Sequence, residues 1–142
     1  MFTKIIKYDD RSQGKISLEV ELQRVAYKYK FTPKIYDVVY QENEAVISME
    51  NLNEMCIADK YGEDPTKIPK EYWDQIRKIL ETLLHEEGIE YIDITPYNFI
   101  EKENKVYIID FGDAYYRDKR KKINWFLQDV LDGYEGWNPD FK

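Results

Sequence analysis

Cysteine is almost absent from this chain: its 142 residues include one, Cys56. A lone thiol closes no internal disulfide, so the fold holds without covalent staples and the composition fits a reducing compartment. Long apolar runs are absent too. None approaches the ~20 residues that a membrane-spanning helix needs, and the start, Met1-Phe2-Thr3-Lys4, has no apolar stretch behind it that reads as a secretory signal. The expected location is the cytoplasm, or a host cytosol should the chain be viral or a secreted effector. Positive charge is in deficit: 21 Lys and Arg against 28 Asp and Glu leave a net charge of −7. Nucleic acid is disfavoured as a partner, because such binding relies on Lys and Arg neutralising phosphates. Glycine and proline number only 6 and 5, and no linker, repeat or low-complexity tract interrupts the chain. What is abundant is aromatic: 15% of residues, with 13 Tyr and 3 Trp, too many for a disordered segment. The length suits one domain, 1–142.

The pattern along the chain predicts an α+β arrangement. Phe2 to Tyr8 reads as a strand, followed by a polar turn cluster from Asp9 to Gly14. Ile16, Val20, Val25 and Ala26, with Leu22 nearby, fit one helical face over Ile16 to Tyr29, with Ser17 as its N-cap. Ile35 to Tyr40 and Ala45 to Met49, separated by Gln41-Glu42-Asn43-Glu44, read as a hairpin. Asn51 to Lys70 is polar and irregular, with a short helix at most. Lys70 to Glu87 is the clearest helix: Tyr72, Trp73, Ile76, Ile79, Leu80, Leu83 and Leu84 recur every three or four residues, and Gly88 is its C-cap. Ile89 to Ile94 and Val106 to Ile109 look strand-like, and Ile123 to Leu131 helical. Cys56 reads as a small, partly buried residue, and His85 as a helix-end group.

The chemistry concentrates between Leu84 and Ala114. Asp93 follows an apolar segment, Asn98 comes five residues later, and Asp110-Phe111-Gly112 ends the Val106 to Ile109 strand. Two carboxylates and an amide arriving from adjacent loops form an all-oxygen donor set. Such hard ligands suit Mg²⁺, whose shell is usually completed by water and substrate phosphates.

This stretch resembles the catalytic core of the protein kinase-like superfamily, whose pattern is H-R-D-L-x-x-x-N followed by D-F-G. Here it reads Tyr91-Ile92-Asp93-Ile94-Thr95-Pro96-Tyr97-Asn98 and then Asp110-Phe111-Gly112, with Leu84-His85 and Gly88-Ile89 as the lead-in. The short Tyr115 to Lys122 link running straight into a helix resembles RIO-type and other small atypical kinases. The resemblance implies a reduced two-lobe fold. A small antiparallel sheet with one helix would span about 1–50, and a short, mainly helical lobe about 51–142. It implies ATP and Mg as cofactors. Asp93 would accept or orient the acceptor hydroxyl's proton, and Asn98 and Asp110 would hold the metal. Met49 would be the gatekeeper, and the backbone of Glu50, Asn51 and Leu52 would meet the adenine. Lys7 (or Lys4) would bind the α- and β-phosphates, steadied by Glu19 (or Glu21). Read on their own, Lys7 is also a solvated strand-edge lysine and Glu19 a residue on a wet helix face.

Four features depart from the family pattern. The residues before Lys7 are too few for the two strands of a Gly-rich loop. Ile92 stands where the family has arginine, and Thr95 where it has lysine or arginine. No A-P-E segment follows Ala114; Asp129 is a candidate brace for the catalytic loop. The basic run Arg117, Lys119, Arg120, Lys121 and Lys122 reads as a solvated loop, or as an attractor for an acidic or phosphorylated substrate. The implied function is a minimal ATP-dependent phosphotransferase acting on a protein Ser/Thr hydroxyl. The alternatives are a weak or inactive kinase mimic that binds and regulates a kinase or its substrate, and a small-molecule phosphotransferase.

Overall fold

The computed structural model describes residues 1–141. Strand β1 (Phe2–Lys7) leads into helix α1 (Gln13–Tyr27), and a hairpin of β2 (Ile35–Gln41) and β3 (Glu44–Met49) follows. These strands form an antiparallel sheet in the order β1-β3-β2, with Lys4 opposite Ile47 and Val39 opposite Val46. A short helix α2 (Ile57–Tyr61) and a 3₁₀ turn at Pro65–Lys67 precede the long helix α3 (Lys70–Glu87). The remainder is β4 (Ile89–Glu90), a hairpin of β5 (Phe99–Lys102) and β6 (Lys105–Ile108), β7 (Tyr115–Tyr116), which pairs with β4, and α4 (Trp125–Leu131). This is the α+β architecture that the sequence predicts. No helix among the described residues is long and apolar enough to cross a membrane.

Two apolar clusters organise these elements. The smaller lies between the sheet and α1 and consists of Val20, Ile35, Ile47 and Met49, with Ile6 and Val38 against it. The larger is built on α3 and takes in Trp73, Ile76, Leu80, Leu83, Phe99, Phe111 and the α4 residues Phe126, Leu127 and Val130. Leu22 and Ala26 of α1 belong to this second cluster. Helix α1 therefore presents Val20 to the sheet and Leu22 and Ala26 to the helical part. Burial of this kind stabilises by roughly 25 cal/mol per Å² of apolar surface.

Local signals explain most boundaries. Helix α3 spans Lys70–Glu87 as its apolar periodicity predicts, and Gly88 ends it at φ 68° with its N–H on the Leu84 carbonyl at 3.0 Å. The first helix starts earlier than expected. Ser12, not Ser17, stands at its N-cap without a side-chain capping bond, and the Ser17 hydroxyl meets the Tyr40 hydroxyl at 3.0 Å. Only Ile89–Glu90 of the predicted Ile89 to Ile94 stretch forms a strand; the following residues leave the ladder and become the loop that carries Asp93.

Two glycines should respond to alanine with opposite signs. Gly88→Ala places a Cβ in the left-handed region and is expected to lower unfolding free energy in urea by about 1 kcal/mol. Gly14, helical and with open space around it, is expected to gain ~0.5 kcal/mol as alanine.

Candidate active site

A cleft of about 380 Å³ lies between the sheet and the β5–β6 hairpin, reached by Lys4, Gln23, Met49, Glu50, Leu52, Tyr97, Asn98 and Asp110. A larger and shallower depression of about 650 Å³ between α1 and β2 contains none of the residues that carry the motif. The chemistry belongs to the smaller cleft.

Strand parity decides which lysine enters it. Side chains three apart on a strand point to opposite faces. Lys4 and Ile6 face α1 and are partly buried, whereas Ile5 and Lys7 are exposed, and Lys7 sits at the strand end across from Glu44. Lys4 Nζ lies 2.7 Å from Glu19 Oε2 and 3.7 Å from Asp110 Oδ1. The structure therefore brings Lys4, and not Lys7, to the candidate site. The match of Ile5-Ile6-Lys7 to the family strand is displaced by three residues; the parity of core-facing Ile6 carried the signal. Glu19 is 8% exposed on the inner face of α1. Glu21 points elsewhere and accepts a hydrogen bond from the Tyr116 hydroxyl at 2.6 Å.

The far wall of the cleft is the segment after β3. Met49 is buried at its start and takes a 3.7 Å contact from Gln23 Nε2, whose main bond, at 2.9 Å, is to the Pro33 carbonyl. The Glu50 amide donates to the Lys34 carbonyl at 2.8 Å, and the Lys34 amide donates back to Glu50 Oε1 at 3.2 Å. That leaves the Glu50 carbonyl and the Leu52 amide as the groups of this wall suited to meet the polar edge of a flat ligand. Asn51 turns its side chain inward on the chain, accepting from the Asn53 amide.

On the opposite side, hydrogen bonds set the spacing of Asp93, Asn98 and Asp110. Asn98, 6% exposed, donates from Nδ2 to the Asp93 carbonyl at 2.9 Å, which leaves its Oδ1 as an acceptor. The Asn98 carbonyl accepts from the Ile109 amide at 2.9 Å. The Ile109 carbonyl accepts from the buried Tyr91 hydroxyl at 2.6 Å. Asp110 follows in the left-handed region at φ 61°, which turns the chain so that its carboxylate, 45% exposed, meets the cleft. Burial pushes the Asp93 carboxyl above the ordinary carboxylate range, and the nearby charges of Asp110 and Asp113 push it the same way.

Gly112 completes the arrangement. Its amide donates to Asp110 Oδ1 at 3.0 Å, and a Cβ there would stand 3.1 Å from both Asp110 Oδ1 and Glu19 Oε1. The donor set fits Mg²⁺: one carboxylate and one amide oxygen face a cleft open to water and phosphate, as that ion usually requires. Among the described residues no three His, Cys, Asp or Glu side chains gather into a cage that would hold an ion unaided.

Two residues of the site escaped the sequence reading. Tyr91 was within reach, since it opens the Tyr91-to-Asn98 motif. Asn138 was not, since no periodicity or spacing ties it to the Asp93 loop. It is 2% exposed and donates from its amide to the Ile94 carbonyl and from Nδ2 to the Ile92 carbonyl, each at 2.9 Å. Asp129, the expected brace, is exposed on α4; its carboxylate bonds to no residue of the Asp93 loop, and its carbonyl accepts from the Tyr134 amide at 2.9 Å.

The relationships of the chain agree with this geometry. The RIO domain family model matches residues 3–132. A curated relative, the probable serine/threonine-protein kinase BUD32 homolog of Archaeoglobus fulgidus, is 27% identical over 110 residues, covering 75% of this chain and 50% of that protein. The chain thus spans about half the length of the curated relative it matches. With the family match running from β1 into the turn after α4, around a cleft walled by Lys4, Asn98 and Asp110, this chain belongs to the RIO domain family of kinase-like proteins.

Proposed function

We propose that the chain moves the γ-phosphoryl group of ATP to a Ser or Thr hydroxyl of a protein. The observation that supports this most is the convergence of Lys4, Glu19 and Asp110 within 3.7 Å contacts at the mouth of a cleft that Asn98 also lines. The Ser/Thr preference draws support from the archaeal relative, a probable serine/threonine-protein kinase.

The residues divide the work by their chemistry. The Glu50 carbonyl and Leu52 amide meet the adenine edge, beneath the Met49 side chain. Glu19 holds the Lys4 ammonium in place, and Lys4 neutralises phosphate oxygens. Asn98 and Asp110 would hold Mg²⁺, which when bound would offset the charge that develops on the transferred phosphoryl group. Asp93 receives the acceptor hydroxyl's proton as the new P–O bond forms and the bond to the ADP oxygen breaks. Catalysis of this kind is chiefly positioning and electrostatics.

Three measurements test the proposal. ATP with Mg²⁺ is expected to raise Tm, since a ligand at 100 times its Kd adds about 2.7 kcal/mol. Lys4→Met should abolish that rise and Lys7→Met should keep it; the reverse pattern would sink the Lys4 assignment. Transfer of label from γ-labelled ATP should fall at least ~100-fold in Asp93→Asn and Asp110→Asn. Equal trace labelling in wild type and both variants would end the enzymatic reading. Finally, Asp93 carries a folded-state pKa raised by burial, so its charge destabilises the fold at neutral pH. Asp93→Asn is expected to raise Tm at pH 7 by ~1–3 °C, and the gain should vanish as pH falls through the raised pKa.

A further inference from the structure

Asn138 lies far along the chain from the catalytic loop, yet every polar group it has is engaged there or in holding itself in place. Its amide donates to the Ile94 carbonyl and its Nδ2 to the Ile92 carbonyl. Its Oδ1 accepts from the Asp140 amide at 3.0 Å, and its carbonyl accepts from the Phe141 amide at 3.2 Å. The Asp140 contact fixes which side of the carboxamide is oxygen and so directs the donor at Ile92. The two loop carbonyls it grips belong to the residues immediately before and after Asp93.

The segment is anchored where it must be to act as a brace. The Trp137 ring packs on Trp73 of α3 with centroids 4.7 Å apart, and its Nε1 donates to the Glu63 carbonyl at 2.9 Å. Trp137 also stacks near Phe99 at the start of β5. Inside the loop itself only short-range bonds operate: Ile94 N to the Ile92 carbonyl at 2.8 Å, Thr95 N to the Asp93 carbonyl at 3.1 Å, Asn98 Nδ2 to the Asp93 carbonyl at 2.9 Å and Asn98 N to the Thr95 carbonyl at 3.2 Å. With Ile92 at the position before Asp93, the loop has no cationic side chain there to tie it to a neighbour. The long-range ties of the carbonyls flanking Asp93 come from Asn138.

We infer that Asn138 is a positioning residue that sets the backbone on both sides of Asp93, so that the segment after α4 is part of the catalytic apparatus. This rests on the reading of Asp93 as the group that receives the acceptor proton. Asn138 does not line the cleft that holds Lys4 and Asp110, so its effect falls on turnover and not on nucleotide binding.

The test compares Asn138→Asp, Asn138→Ala and a core truncation on α4, Val130→Ala. Asn138→Asp retains an oxygen for the Asp140 amide and its own backbone donor, but sets a carboxylate oxygen against the Ile92 carbonyl. A residue that merely capped its own turn would tolerate it. The expected result is a ~30–100-fold drop in kcat for both Asn138 variants with KM for ATP within about twofold of wild type, as small misplacements of reacting groups produce. Val130→Ala, assayed at the same margin below its own Tm, should keep kcat near wild type. Amide exchange at Ile94 and Thr95 should quicken at least ~10-fold in the Asn138 variants and stay unchanged in Val130→Ala. Wild-type kcat in Asn138→Asp, or unchanged exchange at both amides, would overturn the inference. If the wild-type chain transfers no phosphate, that result counts against the proposed function, while the exchange measurement still decides the role of Asn138.

Discussion

Helix α1 has to satisfy two apolar clusters at once, and the rest of the molecule is arranged around that requirement. Val20 faces the sheet while Leu22 and Ala26 join the core built on α3. A helix held on both sides cannot rotate without opening one cluster, and interiors pack too densely to yield gradually. Glu19 directly precedes Val20 on this helix, so hydrophobic burial of the neighbouring turns fixes the direction of its carboxylate. The ion pair with Lys4 is a consequence of that placement. Exposed ion pairs stabilise little by themselves; here the packing determines the pair's position, and the pair in turn locates a cation beside Asp110.

The other half of the site depends on backbone hydrogen bonds more than on side-chain packing. Ile109 is gripped through its amide by Asn98 and through its carbonyl by Tyr91, directly before the left-handed turn at Asp110. The Asp93 loop is gripped from within by Asn98 and from outside by Asn138. Loops that carry chemistry must be exposed on one side, so their order has to come from the other. Asp93, Asn98 and Asp110 thus keep their spacing although none of them sits on a regular helix or strand.

What could be read from the sequence follows physical lines. Helix α3 was legible because a long amphipathic pattern and a terminal glycine are local signals. The Asp93, Asn98 and Asp110 constellation was legible because loop chemistry is encoded by residue type at short spacing. Glu19 followed from the same match. Lys7 was the wrong lysine to bring to the cleft, because a motif of apolar residues before a lysine does not encode strand parity, whereas the burial of Ile6 beside Lys4 does. Ser17 failed as a cap because a serine in a helical pattern cannot announce how far the helix extends before it. Asn138 was beyond reach, since its partners are carbonyls, and a backbone carbonyl leaves no trace in residue identity.

Gly112 links both halves of the site. The space where its side chain would begin is bordered by Glu19 from helix α1 and by Asp110 from its own turn. Any larger residue would push on Glu19, which holds Lys4, and on Asp110 in one stroke. The two cannot drift independently through this position, so sequence change that retunes one of them has to arise elsewhere. An absent methyl group keeps the two acidic walls in register.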